Sequence, residues 1–560
     1  EIVDFSSQYG SEHSISYTAE NILGPPSVFP RSGDCVSVYE LRTYGKWWLT
    51  LPSSRESKVN LPCRIPIESQ DFIEFRVGRR VEPMLIRIYE VYNPGAIVRI
   101  LGYCSDREKW VTLWAGAPMH LPPNESHCFS VEFEKTDLLS DYFRIEFHHR
   151  HLNYYCELDS LVLYGEDKFS NYSLSSSAIP SALQRMVNFS LHENYQTPAS
   201  SFSSVNLPDH HASFDNLPNE VIHLIISYLD LQSLCSVAQV SKLFHKICYD
   251  PVLYKDLNLQ TYWPLVDITA LRGLESRLSS LKTLNLSWCG SQGRITAHYF
   301  NEFVTATCHH LTALKLSSCN FVNNNCLKAV ASHCPLLQEL ELNSCRSKDL
   351  TQIGFRYISE IKHLNHLALY RSLIDKSSII SIIKCVPLEH LFLGSCTNID
   401  SFNEVARAIA SDRKQIKTLD FWRASSLSCL GISELAEHCN ELVEIDLGWC
   451  HKIDARCGCI RALITRCTKL KKLFLSVMRT LSDYDVYAIS SHSQHLEQLD
   501  LLGAQKIEVS AIISVLESCK RLKLLDVSFG DPSVVEAAPD LQMAFPRVEI
   551  KCCSSVDMDM

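Results

Sequence analysis

The chain has 560 residues, of which 46% are hydrophobic and 21% charged, and it carries a formal net charge of −10. That length excludes a single core and predicts two or three domains, while the acidic balance excludes a protein that tracks nucleic-acid phosphates with a basic face. No apolar run reaches the roughly 18 to 20 residues needed to cross a bilayer as one helix.

Residues 1–18 read as an N-terminal extension; position 1 is Glu rather than Met, so the natural protein is expected to start earlier, with room for a targeting segment. From Ala19 to Gly165 the pattern is that of strands. Phe129, Val131 and Phe133 alternate with Ser130, Glu132 and Glu134, and Phe143, Ile145 and Phe147 alternate with Arg144, Glu146 and His148. Further short runs at 72–77, 85–92, 97–101, 109–114 and 158–164 are separated by turns such as Asn93-Pro94-Gly95. Many short strands without a helical period predict an all-β sandwich or jelly roll. The opening from Ala19 through Gly24-Pro25-Pro26 to Asp34, with the closing 142–147 and 157–165, resembles the discoidin or galactose-binding-like family. That resemblance implies loops at one end that bind sugars, lipid headgroups or proteins. Trp47-Trp48 fits such a loop contact, because neighbours on a strand face opposite ways; core packing of at least one ring is the competing reading. The run His148-His149-Arg150-His151 lacks a third ligand at a recognisable spacing, so it reads as a solvated edge rather than a metal centre.

Residues 166–213, rich in Ser, Asn, Pro and His, read as a linker with one short helix at 182–191. Residues 214–256 then hold three short amphipathic segments. Val221, Ile222, Ile225 and Ile226 open the series, Asp230 and Ser233 offer N-caps, and Leu234, Val237, Ala238, Val240, Leu243, Phe244 and Ile247 continue it. About forty residues cannot enclose a core alone, so a partner is expected to complete it. The words Leu217-Pro218-x-Glu220, Ile226 to Asp230, Val240-Ser241-x-Leu243-Phe244 and Asp250-Pro251-x-Leu253-Tyr254 resemble the F-box family. The resemblance implies docking to the Skp adaptor of a cullin-RING ubiquitin ligase. The contacts it implies are Leu217, Pro218, Val221, Ile222, Ile225, Leu229, Leu234, Val240, Leu243 and Phe244.

From 257 to 551 a repeat takes over. The frame Leu-x-x-Leu-x-Leu starts at Leu281, Leu311, Leu337, Leu364, Leu388, Leu470 and Leu496, with substituted versions at Ile416, Leu442, Leu522 and Phe545 and a weak one at Tyr254. Successive frames lie about 23 to 30 residues apart, the period of an α/β leucine-rich-repeat solenoid. Apolar helical positions precede the frames, as Leu327, Val330, Ala331 and Cys334 precede Leu337. Cys308, Cys334, Cys385, Cys439, Cys467 and Cys519 lie three before a frame, and Cys289, Cys319, Cys345, Cys396 and Cys450 lie eight after its start. This spacing resembles the cysteine-containing repeats of F-box proteins and reads the thiols as small buried hydrophobes in a reducing compartment. Cys450-His451 with Cys457, Cys459 and Cys467 mimics a zinc cluster, but the repeat accounts for two of its members, so no metal is expected. Residues 552–560 read as a tail.

The third, fifth and seventh frame positions should look out from the concave face. Glu341, Tyr370, Phe392, Asp420, Trp422, Asp446, Phe474 and Asp500 are therefore the candidate substrate contacts, unless the tail or linker covers them. The sequence holds no Gly-rich phosphate loop, nucleophile elbow or H-E-x-x-H, so no catalysis and no cofactor are expected. The three regions together resemble F-box and leucine-rich-repeat substrate receptors. That resemblance implies a non-catalytic subunit that works with the Skp adaptor, cullin and RING subunits on protein substrates. It further implies a cytosol-facing place at the mitochondrial outer membrane and outer-membrane substrates that promote mitophagy; nucleus or cytoplasm, a homodimer and peripheral membrane association stay open. Two other readings are a repeat module that binds or inhibits without a ligase, and a lipid or glycan reader led by the β domain.

Overall fold

The computed structural model describes residues 1–10, 15–43, 69–166, 217–290 and 293–552. Trp47-Trp48, residues 167–216 with the expected 182–191 helix, and residues 553–560 fall outside the described set.

The N-terminal domain is antiparallel. Its strands are β1 (Ile2–Phe5), β2 (Tyr39–Glu40), β3 (Asp71–Tyr92), β4 (Ile97–Cys104), β5 (Lys109–Ala115), β6 (His127–Glu132), β7 (Ser140–Phe147) and β8 (Glu157–Glu166). The main order is β2-β8-β3-β7-β4-β5, with β1 and β6 also on β3. The 22-residue β3 carries the domain: its first part pairs with β1 and β7, its second with β6 and β8. Residues 2–5 are thus part of this domain, not an extension from it. The core gathers Ile73, Phe75, Ile86, Ile88, Phe143, Ile145 and Phe147. The alternation in β7 is as read, yet its polar side is not solvated: Arg144 and Glu146 are buried as well.

Residues 219–254 form three short helices, α1 (Asn219–Ile226), α2 (Leu231–Val237) and α3 (Lys242–Cys248), and a final turn, Pro251–Tyr254. Capping sets their ends. Asp230 accepts the Ser233 N–H at 2.7 Å, Ser241 accepts that of Phe244 at 3.2 Å and Asp250 accepts that of Val252 at 3.0 Å. Ile222, Ile226, Leu234, Ala238, Ile247 and Cys248 join one core with Leu257, Leu271 and Leu274 of the following domain. The expectation that an outside protein completes this core is corrected: the first repeats supply that wall.

The solenoid is a twelve-stranded parallel sheet from Asp256–Asn258 to Glu549–Lys551. Leu257, Leu284, Leu314, Leu340, Leu367, Leu391, Leu419, Ile445, Leu473, Leu499, Leu525 and Ile550 are aligned across it, so Tyr254 does open the first frame. The last frame is corrected: Leu525 pairs with Ile550 as the fourth position, which starts the repeat at Arg547 rather than Phe545. The cysteines behave as read, with one exception. Cys319, Cys345, Cys396 and Cys450 point their thiols at the carbonyls of Leu286, Leu316, Leu369 and Phe421 one repeat earlier, at 3.0 to 3.1 Å. Cys385 is exposed.

Candidate functional site

Two stripes run along α1. Ile222 and Ile226 turn into the core, while Val221, Leu224, Ile225 and Tyr228 look outward at spacings of three and four. Leu224 and Tyr228 are 57% and 56% exposed, Val240 is 70% exposed, and Leu217 and Pro218 lie beside them in the open. Of the ten expected adaptor contacts, Leu217, Pro218, Val221, Ile225 and Val240 are exposed. Leu229, Leu243 and Phe244 are half-buried, packed partly on the shared core. Ile222 and Leu234 are corrected to core residues, since their side chains are buried. Leu224 and Tyr228, which helical spacing from Val221 also marks, extend the exposed stripe. An apolar face this open on a small helical unit favours association with another chain.

The concave wall is a different matter. All eight candidate substrate contacts, Glu341, Tyr370, Phe392, Asp420, Trp422, Asp446, Phe474 and Asp500, are buried. The alternation rule gave their direction correctly but could not reveal what lies opposite. Among the described residues, it is the N-terminal domain that fills the concavity. Arg42, buried itself, stacks 4.1 Å above Trp422 and 5.2 Å from Tyr370, and its guanidinium lies 3.0 Å from Asp446 and 4.0 Å from Asp420. Tyr9, Tyr154 and Tyr155 form one cluster with Phe474, Leu502 and Leu524. Arg371 donates to the Phe5 carbonyl at 2.6 Å and covers the Phe5 ring. Towards the first repeats, the Trp263 indole N–H donates to Glu146 at 2.5 Å, and Arg144 sits between the rings of Phe72, Trp263 and Trp288. At the far end Lys551 donates to the Asn153 carbonyl.

The acids of this wall have structural work. Asp420, Asp446, Asp500 and Asp526 each accept the backbone N–H two residues on, from Trp422, Gly448, Leu502 and Ser528, at 2.8 to 2.9 Å. These are Asx turns that close each strand. Burial and the neighbouring Asp420 push the Asp446 carboxyl well above its ordinary range, against the pull of Arg42. Burial and then Asp526 push Asp500 up to about 7. Glu341, bonded to Lys315 at 2.7 Å, is pushed up to about 7 by burial. The histidine run is also corrected. His149 is fully buried, 3.1 Å from the Thr43 hydroxyl and 3.4 Å from Asp71, rather than at a solvated edge, while Arg150 beside it is exposed.

The site is thus a small helical unit with an open apolar face that shares its core with a leucine-rich-repeat wall. The F-box-like family model matches residues 214–260. F-box/LRR-repeat protein 4 of Bos taurus is 36% identical over 571 residues, spanning 98% of this chain and 90% of that protein. The chain belongs to the F-box/LRR-repeat protein 4 family. F-box protein FBW2 of Arabidopsis thaliana is 28% identical over 152 residues, 25% of this chain and 47% of its own. Among solved structures, a chain of the yeast Rad7 and Elc1 complex is 17% identical, with 58% of this chain and 86% of that one covered at a TM-score of 0.38.

Proposed function

We propose that this chain is the non-catalytic substrate-recognition subunit of a Skp-cullin-F-box ubiquitin ligase. The exposed face of Leu217, Pro218, Val221, Leu224, Ile225, Tyr228 and Val240 carries the reading, because it is an apolar surface on the one unit whose family is defined by adaptor docking. Such a subunit accelerates transfer by raising the local concentration of its target near the charged ubiquitin enzyme. Since the concave strands are covered by the N-terminal domain, targets are read on surfaces that this contact leaves open. The finer part of the proposal rests on the resemblance alone: a cytosol-facing location at the mitochondrial outer membrane, and outer-membrane proteins that promote mitophagy as the targets.

The full chain is expected to co-purify with the Skp adaptor. The double variant Leu217→Ala with Pro218→Ala should lose at least about 2 kcal/mol of binding, the scale of an interface hot spot, without a change in melting temperature. Undiminished adaptor binding by that variant would overturn the docking face. Comparing outer-membrane protein levels in cells carrying the intact or the double-variant chain tests the location and target class.

A further inference from the structure

Cys429, Cys457 and Cys459 belong to neither of the cysteine columns that the repeat packing explains. They come from two neighbouring repeats: Cys429 opens the helix Cys429–His438, Cys457 ends the turn Ala455–Cys457, and Cys459 opens the helix Cys459–Arg466. Gly458 between the last two has φ +83°, a left-handed conformation that turns both flanking side chains toward Cys429. The three sulfurs lie within 4.8 Å of one another. The backbone also prepares the site. The Asp454 N–H donates to the Cys429 sulfur at 3.3 Å, an interaction that strengthens when the sulfur is a thiolate, while the Asp454 carbonyl accepts from the protonated Cys429 and Cys459 thiols at 3.2 and 3.9 Å. Cys459 is buried, Cys429 half-buried and Cys457 exposed, so the cluster has a protein-enclosed floor and an entrance.

We propose that Cys429, Cys457 and Cys459 form a three-sulfur binding site for a soft d10 cation, Zn2+ or Cu+, which pins two neighbouring repeats together. An all-sulfur set selects soft cations over Mg2+ or Ca2+. With metal–sulfur bonds of about 2.3 Å, sulfurs around one ion stand about 4 Å apart, so closing this cluster takes shifts under about 1 Å. Three thiolates suffice for trigonal Cu+; Zn2+ would take its fourth ligand from the open side at Cys457. Each thiol that binds releases its proton to solvent, and no electron is transferred. A second candidate group, Glu339, Glu341 and His366, differs because Lys315 already stands at 3.1 and 2.7 Å from its two carboxylates. The sequence cluster of Cys450-His451 with Cys457, Cys459 and Cys467 shares Cys457 and Cys459 with this group, whereas Cys450 and Cys467 serve the repeat and Cys429 is the member that linear spacing hides.

The test uses the full chain, reduced and stripped of metal, titrated separately with Zn2+ and Cu+ against a competing chelator. One equivalent should bind with an X-ray absorption shell of three sulfurs and raise the melting temperature. Cys457→Ser, at an exposed position that leaves the fold unaffected, should weaken that equivalent more than about a hundredfold, beyond the cost of losing an outer-shell partner. Cys385→Ser, at an exposed thiol elsewhere, should leave it unchanged. Equal binding by the parent and Cys457→Ser would overturn the site, as would an oxidised parent that forms a disulfide within the trio while the reduced chain takes up neither ion.

Discussion

Asp500 shows at the level of one side chain why the concave columns were misread. Its position in the frame fixed that it points away from the helices, and that was legible. Its place in the outward column made it a candidate substrate contact, but the Leu502 N–H and the Ser476 hydroxyl are its partners, at 2.9 and 2.6 Å. No linear pattern tells a carboxylate that meets a guest from one that closes its own turn. The burial has a pH signature. A carboxyl whose folded pKa, about 7, lies above its unfolded value, about 3.9, contributes stability that is complete below the unfolded value and lost as pH rises through the folded one. Melting temperature should therefore rise as pH is lowered from about 8 to about 6. Asp500→Asn, which keeps an acceptor for Leu502 but cannot ionise, should flatten that rise, and an unchanged slope in differential scanning calorimetry would remove Asp500 as its source.

The ten repeats whose frames start from Leu281 to Leu522 each turn from strand to helix through one left-handed residue, and here the local sequence is nearly silent. Trp288, Ser318, Ser344, Arg371, Ser395, Arg423, Trp449, Val477, Gly503 and Phe529 all have positive φ, always seven residues after a frame start. Only one is glycine. The ladder enforces the conformation, because from Trp288 to Gly503 the N–H of each such residue donates to a carbonyl of the next repeat, as Ser318 does to Asn343 at 2.7 Å and Ser344 to Tyr370 at 2.7 Å. Repeated leucines made strands and core face readable, whereas a strained dihedral supplied by neighbours leaves no composition signal. The slipped final frame has a related cause: Phe545, Val548 and Ile550 satisfy the apolar spacing, and only pairing with Leu525 sets the register. Ser318→Gly should relieve left-handed strain of about 1–2 kcal/mol against about 0.4–1 kcal/mol of added unfolded-chain entropy. A net gain of about 0.5–1 kcal/mol is expected in urea unfolding. A loss would mean that the Ser318 side chain contributes more than its backbone costs.

At the scale of the molecule, three regions that read as separate modules make one continuous body. The helical unit shares its core with the first repeats, and the N-terminal domain lies in the curve of the wall. That an antiparallel β region, a small helical unit and an α/β repeat follow one another was legible because each has its own periodicity. Their union was not, since its centre is a pair 404 residues apart, Arg42 with Asp446. Arg42→Ala leaves buried acids without their cation and should cost about 3–5 kcal/mol, read as an early unfolding step and faster proteolysis between the N-terminal domain and the wall. Adaptor co-purification should persist, because the exposed face of α1 lies on a different unit. If the variant unfolded in one step at the parental midpoint, Arg42 would not be holding the two together.

A bare repeat arc bends like a leaf spring, because each unit touches only its neighbours. Here the same inserted domain grips Trp263 near one tip and Lys551 at the other, as a string holds a drawn bow. Span and curvature are thereby set in advance, and any cargo carried on the outer rim stands at a fixed reach from whatever clasps α1.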